Sequence, residues 1–170
     1  QAVSIGTTTG YLTSNYANWP LFVPIMLLSA AFIGACAGST GGGIKVIRAL
    51  VLMRQGVGEI TKLIHPNAVV TIKFGKKSLD PRVSESVWGF FSIYVAIFVL
   101  LLMFMLSQSN DFLTSFSAVG ATLNNLGPGL GEVSSNYKEL NDASKLGLCL
   151  AMLLGRLEIF TLLLVFTPAF

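Results

Sequence analysis

The chain has 170 residues, 53% of them hydrophobic and 11% charged, with a mean hydropathy of +0.72. A soluble domain carries about 25% charged residues, so this composition excludes an ordinary soluble protein and describes an integral membrane protein. One histidine, two cysteines placed inside apolar runs, no paired carboxylates and no activated serine or cysteine exclude a disulfide framework, a metal-ligand spacing and a catalytic cluster.

The chain opens on a threonine- and glycine-rich stretch, Val3-Ser4-Ile5-Gly6-Thr7-Thr8-Thr9-Gly10-Tyr11. A first apolar run, Pro20 to about Ala37, follows and continues from Ile44 to Met53 after an interruption, Gly38-Ser39-Thr40-Gly41-Gly42-Gly43. Three successive glycines unwind a helix and leave polar backbone at membrane depth, which is tolerated only against a water-filled cavity or buried in protein. The interruption is therefore expected to be a mobile gate; the plainer alternative is a passive kink that lets helices approach. It is not a phosphate loop, because Lys45 follows Ile44 rather than Gly43 and no strand precedes it.

Residues Arg54 to Ser86 are polar and basic. Eight of the eleven Lys and Arg residues lie between positions 45 and 82, so by the positive-inside rule this side is cytoplasmic. Any single lysine there could serve only lipid-headgroup contact, and His65 is expected to be solvated. A second apolar run spans Val87 to Leu106. After it comes a segment of about a dozen residues, from Asn110 to Ala121, with Asn110 or Asp111 as its helix cap. At about 1.5 Å per residue it reaches half way across a bilayer core.

That half-helix runs into Asn124-Asn125-Leu126-Gly127-Pro128-Gly129-Leu130-Gly131, which cannot be helical. A half-length helix ending in a glycine-rich turn, between two full-length apolar runs, reads as a re-entrant pore helix and filter; the alternative is a surface loop joining two membrane helices. Backbone carbonyls lining such a turn can replace the hydration shell of a cation. The acidic residues Asp111, Glu132, Glu139 and Asp142 outweigh Lys138 and Lys145 on this side, which is then external and favours cations near a pore mouth.

The third apolar run, Leu146 to Phe166, carries Arg156 near its middle. An arginine there costs about 2.5–3.5 kcal/mol on insertion scales, so it is expected to face a cavity or a partner. We place it beneath the filter against the glycine-rich loop, the alternative being an arginine that ties two helices together away from the pore.

The chain also repeats itself. At an offset of 121 positions Gly6 falls on Gly127, Gly10 on Gly131, Ser14-Asn15-Tyr16 on Ser135-Asn136-Tyr137, Leu27 on Leu148, Ala30 on Ala151 and Gly34 on Gly155. Membrane transport proteins are often built from such repeats. The repeat makes Val3 to Tyr11 a second filter strand and predicts that the chain opens just past the end of a pore helix. The expected segments are 1–58, the back half of one pore unit; 59–83, a basic cytoplasmic loop; and 84–170, a complete helix–pore-loop–helix unit. The filter carbonyls are assigned to Val3, Ser4, Ile5, Gly6 and Thr7 and to Asn124, Asn125, Leu126 and Gly127, with the Asn and Thr side chains bracing the strands. The gate is assigned to Gly38, Ser39, Thr40, Gly41, Gly42, Gly43, Lys45 and Arg156. One and a half units cannot encircle an ion; other strands must complete the ring.

Three motifs carry a family resemblance: Ser4-Ile5-Gly6-Thr7-Thr8-Thr9-Gly10-Tyr11, Gly38-Ser39-Thr40-Gly41-Gly42-Gly43-Ile44-Lys45, and Asn124-Asn125-Leu126-Gly127-Pro128-Gly129 followed by Gly155-Arg156. In this order they resemble the third filter strand, the loop interrupting the third inner helix, and the fourth filter strand of TrkH-type subunits of the Trk/Ktr/HKT potassium uptake superfamily. The resemblance covers essentially the whole chain and matches the C-terminal part of such a subunit. It implies an all-α membrane fold of repeated helix–pore-loop–helix units forming a pseudo-fourfold cation pore, the remaining units lying outside this chain. It implies potassium as the transported ion, bound at the filter carbonyls, with no cofactor. It further implies a homodimer in the bacterial inner membrane and a cytosolic nucleotide-binding regulatory subunit, with no nucleic-acid partner and no enzymatic activity. Neither filter strand carries the Thr-Val-Gly-Tyr-Gly of tetrameric potassium channels, so a less selective potassium and sodium pathway stands as the transport alternative, and a non-conducting membrane scaffold as the alternative of another class.

Overall fold

The computed structural model describes residues 1–14, 16, 19–34, 41–66, 73–74 and 77–157. Six helices follow in order: α1 Ala2–Gly6, α2 Phe22–Ile33, α3 Val46–Ile64, α4 Pro81–Ser107, α5 Phe112–Leu123 and α6 Asp142–Arg156. Apart from these the structure has a 3-10 turn at Gly131–Val133 and a two-residue antiparallel ladder between α3 and α4. That ladder sets β1, Lys73–Phe74, against β2, Lys77–Ser78, with Lys73 opposite Ser78.

The half-helix α5 is the centre of the fold. Asp111 caps it, its carboxylate accepting from the Leu113 N–H at 3.2 Å. From Thr114 to Leu123 every residue but Phe116 is buried. A helix apolar or small all round must be enclosed by others, and α5 packs against α2, α4 and α6. Small residues allow this close packing: Ala118 and Ala121 are fully buried, as are Val119 and Leu123. Phe116 points to the interface of α2 and α4, where its ring lies 6.4 Å from Phe32 and 5.4 Å from Phe98.

α4 is the full-length span. Asp80 caps it through the Arg82 N–H at 3.0 Å, Pro81 stands at its first position, and Arg82 to Ser107 is the one helix among the described residues long and apolar enough to cross a membrane. Its 27 residues extend about 40 Å.

The other apolar runs resolve differently from the expectation. α2 has only 12 residues and ends at Gly34, whose φ of 38° breaks the helix before Ala37. α3 does not stop near Met53 but continues to Ile64, supported by a Thr61 hydroxyl bond to the Val57 carbonyl at 2.9 Å and a Lys62–Glu59 ion pair at 2.8 Å. The basic side thus begins as helix. The third run is helical to Arg156, and the expected continuation to Phe166 lies outside the described residues. Cys149, expected in the core, is exposed on α6, because its face of the helix is turned away from α5; Cys36 lies outside the described residues.

Candidate ion-conduction site

Two helices end in the same backbone turn. At the end of α5, Asn124 takes φ −88° and ψ 0°, Asn125 switches to φ 54°, and Gly127 to φ 100°. At the end of α1, Thr7 takes φ −92° and ψ 2°, Thr8 φ 54°, and Gly10 φ 79°. The hydrogen bonds correspond one for one. The N–H groups of Asn124, Asn125, Leu126 and Gly127 donate to the carbonyls of Gly120, Thr122, Ala121 and Ala121. Those of Thr7, Thr8, Thr9 and Gly10 donate to Val3, Ile5, Ser4 and Ser4. Each pair of equivalent residues is 117 positions apart.

The structural register of the turn is therefore 117, not the 121 of the sequence match. Gly127 corresponds to Gly10, and Gly6 to Leu123, the last helical residue of α5. Val3, Ser4, Ile5 and Gly6 are helical rather than extended. The carbonyls of Val3, Ser4 and Ile5 close the last turn of α1, so they accept backbone N–H groups. Ile5 is fully buried with Leu27, Ala121 and Leu126. In the inner helices the buried set Pro24, Leu28 and Ala31 recurs as Ser144, Leu148 and Ala151, an offset of 120. The second unit thus has extra residues between its turn and its inner helix, around Gly131–Val133.

Thr8, Thr9 and Gly10 form this turn, whereas the sequence, though it included them in the Val3 to Tyr11 strand, led us to assign carbonyls only to Val3 through Thr7. The signal was present in the sequence: Thr7-Thr8-Thr9-Gly10 and Asn124-Asn125-Leu126-Gly127 each place three residues and then a glycine after a helix. Gly10 is required twice over, since its φ is positive and a Cβ there would collide with the Leu126 carbonyl. That contact sets the two turns side by side. A cavity of about 330 Å³ opens between them, lined by Thr9, Gly10 and Tyr11 on one side and Leu126, Gly127 and Tyr137 on the other.

The bracing of the two turns differs. Tyr137 donates to the Gly127 carbonyl, and Tyr16 donates to the Gly129 carbonyl at 3.0 Å and the Pro128 carbonyl at 3.3 Å. The Leu130 N–H donates to the Ser117 hydroxyl at 2.9 Å. Burial raises the pKa of the Tyr137 hydroxyl, the neighbouring Tyr16 adding to the shift, and burial raises that of Tyr16 as well. Both therefore stay protonated donors. The turn after α1 is held by short hydroxyls: Ser4 donates to the Tyr11 carbonyl and Thr7 to the Val3 carbonyl, each at 2.7 Å.

The glycine-rich loop comes to the same place. In its described part, Gly41 to Gly43, Gly42 and Gly43 lie against Asn124; Gly38, Ser39 and Thr40 lie outside the described residues. Gly42 is buried so tightly on Asn124 that a Cβ would overlap the carbonyl and come within 3.0 Å of Cα. Just beyond, the Ile44 N–H donates to the Phe32 carbonyl at 3.0 Å, turning the chain back onto the end of α2 before Lys45 caps α3 at φ 64°. The last turn of α6 abuts the other side of the α5 terminus. A Cβ on Gly155 would overlap the Leu123 carbonyl and sit 2.7 Å from the Asn125 Nδ2, while Arg156 itself is exposed. The structure thus brings Gly42, Gly43 and Gly155 together around Leu123, Asn124 and Asn125.

The family model for TrkH, cation transport protein, matches residues 1–169. The chain belongs to the TrkH family. This TrkH-family chain is 55% identical over 170 residues to the Trk system potassium uptake protein TrkH of Vibrio parahaemolyticus, covering 100% of the chain and 35% of that relative. It is 52% identical to the TrkH of Escherichia coli, with the same coverage, and 42% identical over 169 residues to the Trk system potassium uptake protein TrkG of that organism. The crystal structure of the potassium transporter TrkH from Vibrio parahaemolyticus superimposes with a TM-score of 0.90 at 55% identity, covering 98% of the chain and 36% of that structure. The TrkH-family chain therefore spans about a third of the length of the relatives it matches. Its fold is the all-α membrane fold expected. These relatives are named as potassium uptake proteins, not as enzymes.

Proposed function

We propose that this chain supplies two of the strands of a potassium-uptake pore. The observation that carries the reading is the pair of congruent turns, in which two helices end in the same backbone path and face each other across one cavity. The relatives named as potassium uptake proteins support potassium as the transported ion. In this reading the carbonyls of Thr7, Thr8 and Thr9 and of Asn124, Asn125 and Leu126 stand toward the ion, with Gly10 and Gly127 allowing the chain to turn. Each helix directs its negative dipole end at the same point. Carbonyls at this depth replace the water around a cation.

The loop Gly38 to Gly43, with Lys45 and Arg156, is the gate beneath the filter. Support comes from the contact of Gly42 with Asn124 and of Gly155 with Leu123 and Asn125, which puts loop and last inner helix at one depth. The guanidinium of Arg156 would oppose cation flow there until the loop moves. The remaining pore units belong to the same subunit. The assembly is a homodimer in the bacterial inner membrane, with the filter side external, the basic segment cytoplasmic and a cytosolic nucleotide-binding subunit as regulator.

Growth of a potassium-uptake-deficient bacterium tests the reading. The full-length protein should restore growth in low potassium. Restoration that depends equally on sodium would favour the less selective pathway, and no restoration by a protein that inserts normally would favour the scaffold.

A further inference from the structure

Asn124 occupies a junction. It is fully buried at the residue where the α5 hydrogen-bond ladder ends and the filter turn begins. Its side-chain amide is held at both ends, Nδ2 donating to the Gly120 carbonyl at 2.8 Å and Oδ1 accepting from the Tyr94 hydroxyl at 2.8 Å. The same Oδ1 lies 3.0 Å from where a Cβ of Gly43 would stand, and the backbone of Asn124 carries Gly42. One asparagine therefore touches the outer helix, the filter turn and the gate loop.

The path extends behind Tyr94. Tyr94 is 4% exposed on α4, and the ring of Phe90, one helical turn earlier, stacks with it at 6.1 Å. The guanidinium of Arg48 lies 4.2 Å over the Phe90 ring, within the range of a cation–π contact. Arg48 stands in the first turn of α3, directly after the gate loop. The last glycines of the gate loop, Gly42–Gly43, and Arg48 just after it thus rest on one continuous series of side chains, Phe90, Tyr94 and Asn124.

From this closed circuit we propose that Tyr94 is a positioning residue that ties the filter turn to the gate. It rests on the pore reading above. When the loop leaves Asn124, the Tyr94 hydroxyl is the donor that keeps Oδ1 oriented and the turn in shape. When α3 shifts with the loop, Arg48 shifts on Phe90 and the displacement reaches Asn124 through Tyr94. Coupling can be carried by such a chain of packed and hydrogen-bonded side chains.

The test uses the full-length protein reconstituted in liposomes, with potassium, rubidium and sodium permeabilities measured for wild type, Tyr94→Phe, Arg48→Gln and the double variant. Tyr94→Phe removes only the hydroxyl and leaves a buried acceptor unsatisfied, so the potassium-to-sodium ratio should change about fivefold. Arg48→Gln, remote from the filter, should move the ratio in the wild-type background and have no further effect beside Tyr94→Phe. An unchanged ratio in Tyr94→Phe, or an equal effect of Arg48→Gln in both backgrounds, overturns the inference. Should Tyr94→Phe fail to insert, Arg48→Gln alone decides, and an unaltered ratio there overturns it. A wild-type protein that passes no potassium overturns the pore reading itself, and is distinguished by that from either result.

Discussion

The turns after α1 and α5 share a backbone and differ in what holds it. The turn after α5 is enclosed: Asn124 is fully buried, Leu126 and Leu130 nearly so, and Tyr16, Tyr137 and Ser117 bond its backbone. The turn after α1 is held by local hydroxyl contacts within the same stretch. Both tyrosines, one from each unit, converge on the second turn. The same φ sequence is thus over-determined by long-range packing in one unit and carried by short-range bonds in the other. Strained backbone persists where its surroundings over-determine it, and within this chain the groups that do so differ: long-range tyrosine and serine bonds at the second turn, local hydroxyls at the first.

The largest expected effect is at the glycines. Gly10→Ala should abolish most potassium flux, because its Cβ would collide with the Leu126 carbonyl and force the two turns apart. Gly127→Ala should do less: its φ of 100° is unfavourable for alanine, yet a Cβ would meet no atom within 4 Å among the described residues. Flux measurements in which the two variants lose activity equally would break the asymmetry.

Next in size are the tyrosines. Tyr137→Phe and Tyr16→Phe should each lower stability by about 2 kcal/mol, since each leaves a backbone carbonyl of the turn without its donor. Thermal unfolding in detergent measures this. A pH scan adds a sign. Burial raises both hydroxyls above the unfolded value of about 10. Their contribution is then intact below about pH 10 and lost as the pH climbs through the folded-state values. Phenolate absorbance in the paired variant should lose two late-titrating tyrosines relative to the wild type.

The smallest effect concerns the left-handed residues. Thr8 and Asn125 share a φ of 54°, but a β-branched residue tolerates it less well than asparagine. Thr8→Gly should raise the melting temperature, by relief of strain worth about 1 kcal/mol, and more than Asn125→Gly does. Equal shifts would mean that the two turns are equally relaxed.

Composition and local chemistry made much of this legible in the sequence alone. The low charge marked a membrane protein, the Asp111 cap and the Asn124–Gly131 stretch bounded a half-length helix, an interruption between the first apolar run and its continuation separated α2 from α3, and three ordered motifs pointed to the family that the whole-chain match then showed. These are properties of short stretches, and short-range hydrogen bonding and hydrophobic length determine them. The register of the repeat was decided only in three dimensions. Matching glycines and a shared Ser-Asn-Tyr favoured 121, but each turn begins where a helical hydrogen-bond ladder runs out, and that matches Gly10, not Gly6, with Gly127. The convergence of Tyr16 and Tyr137 on one turn, and of Gly42, Tyr94 and Gly155 on the end of α5, likewise joins residues as much as 113 positions apart. No local pattern encodes those meetings, because packing around a buried half-helix, rather than the preference of any one stretch, selects which side chains fill each gap.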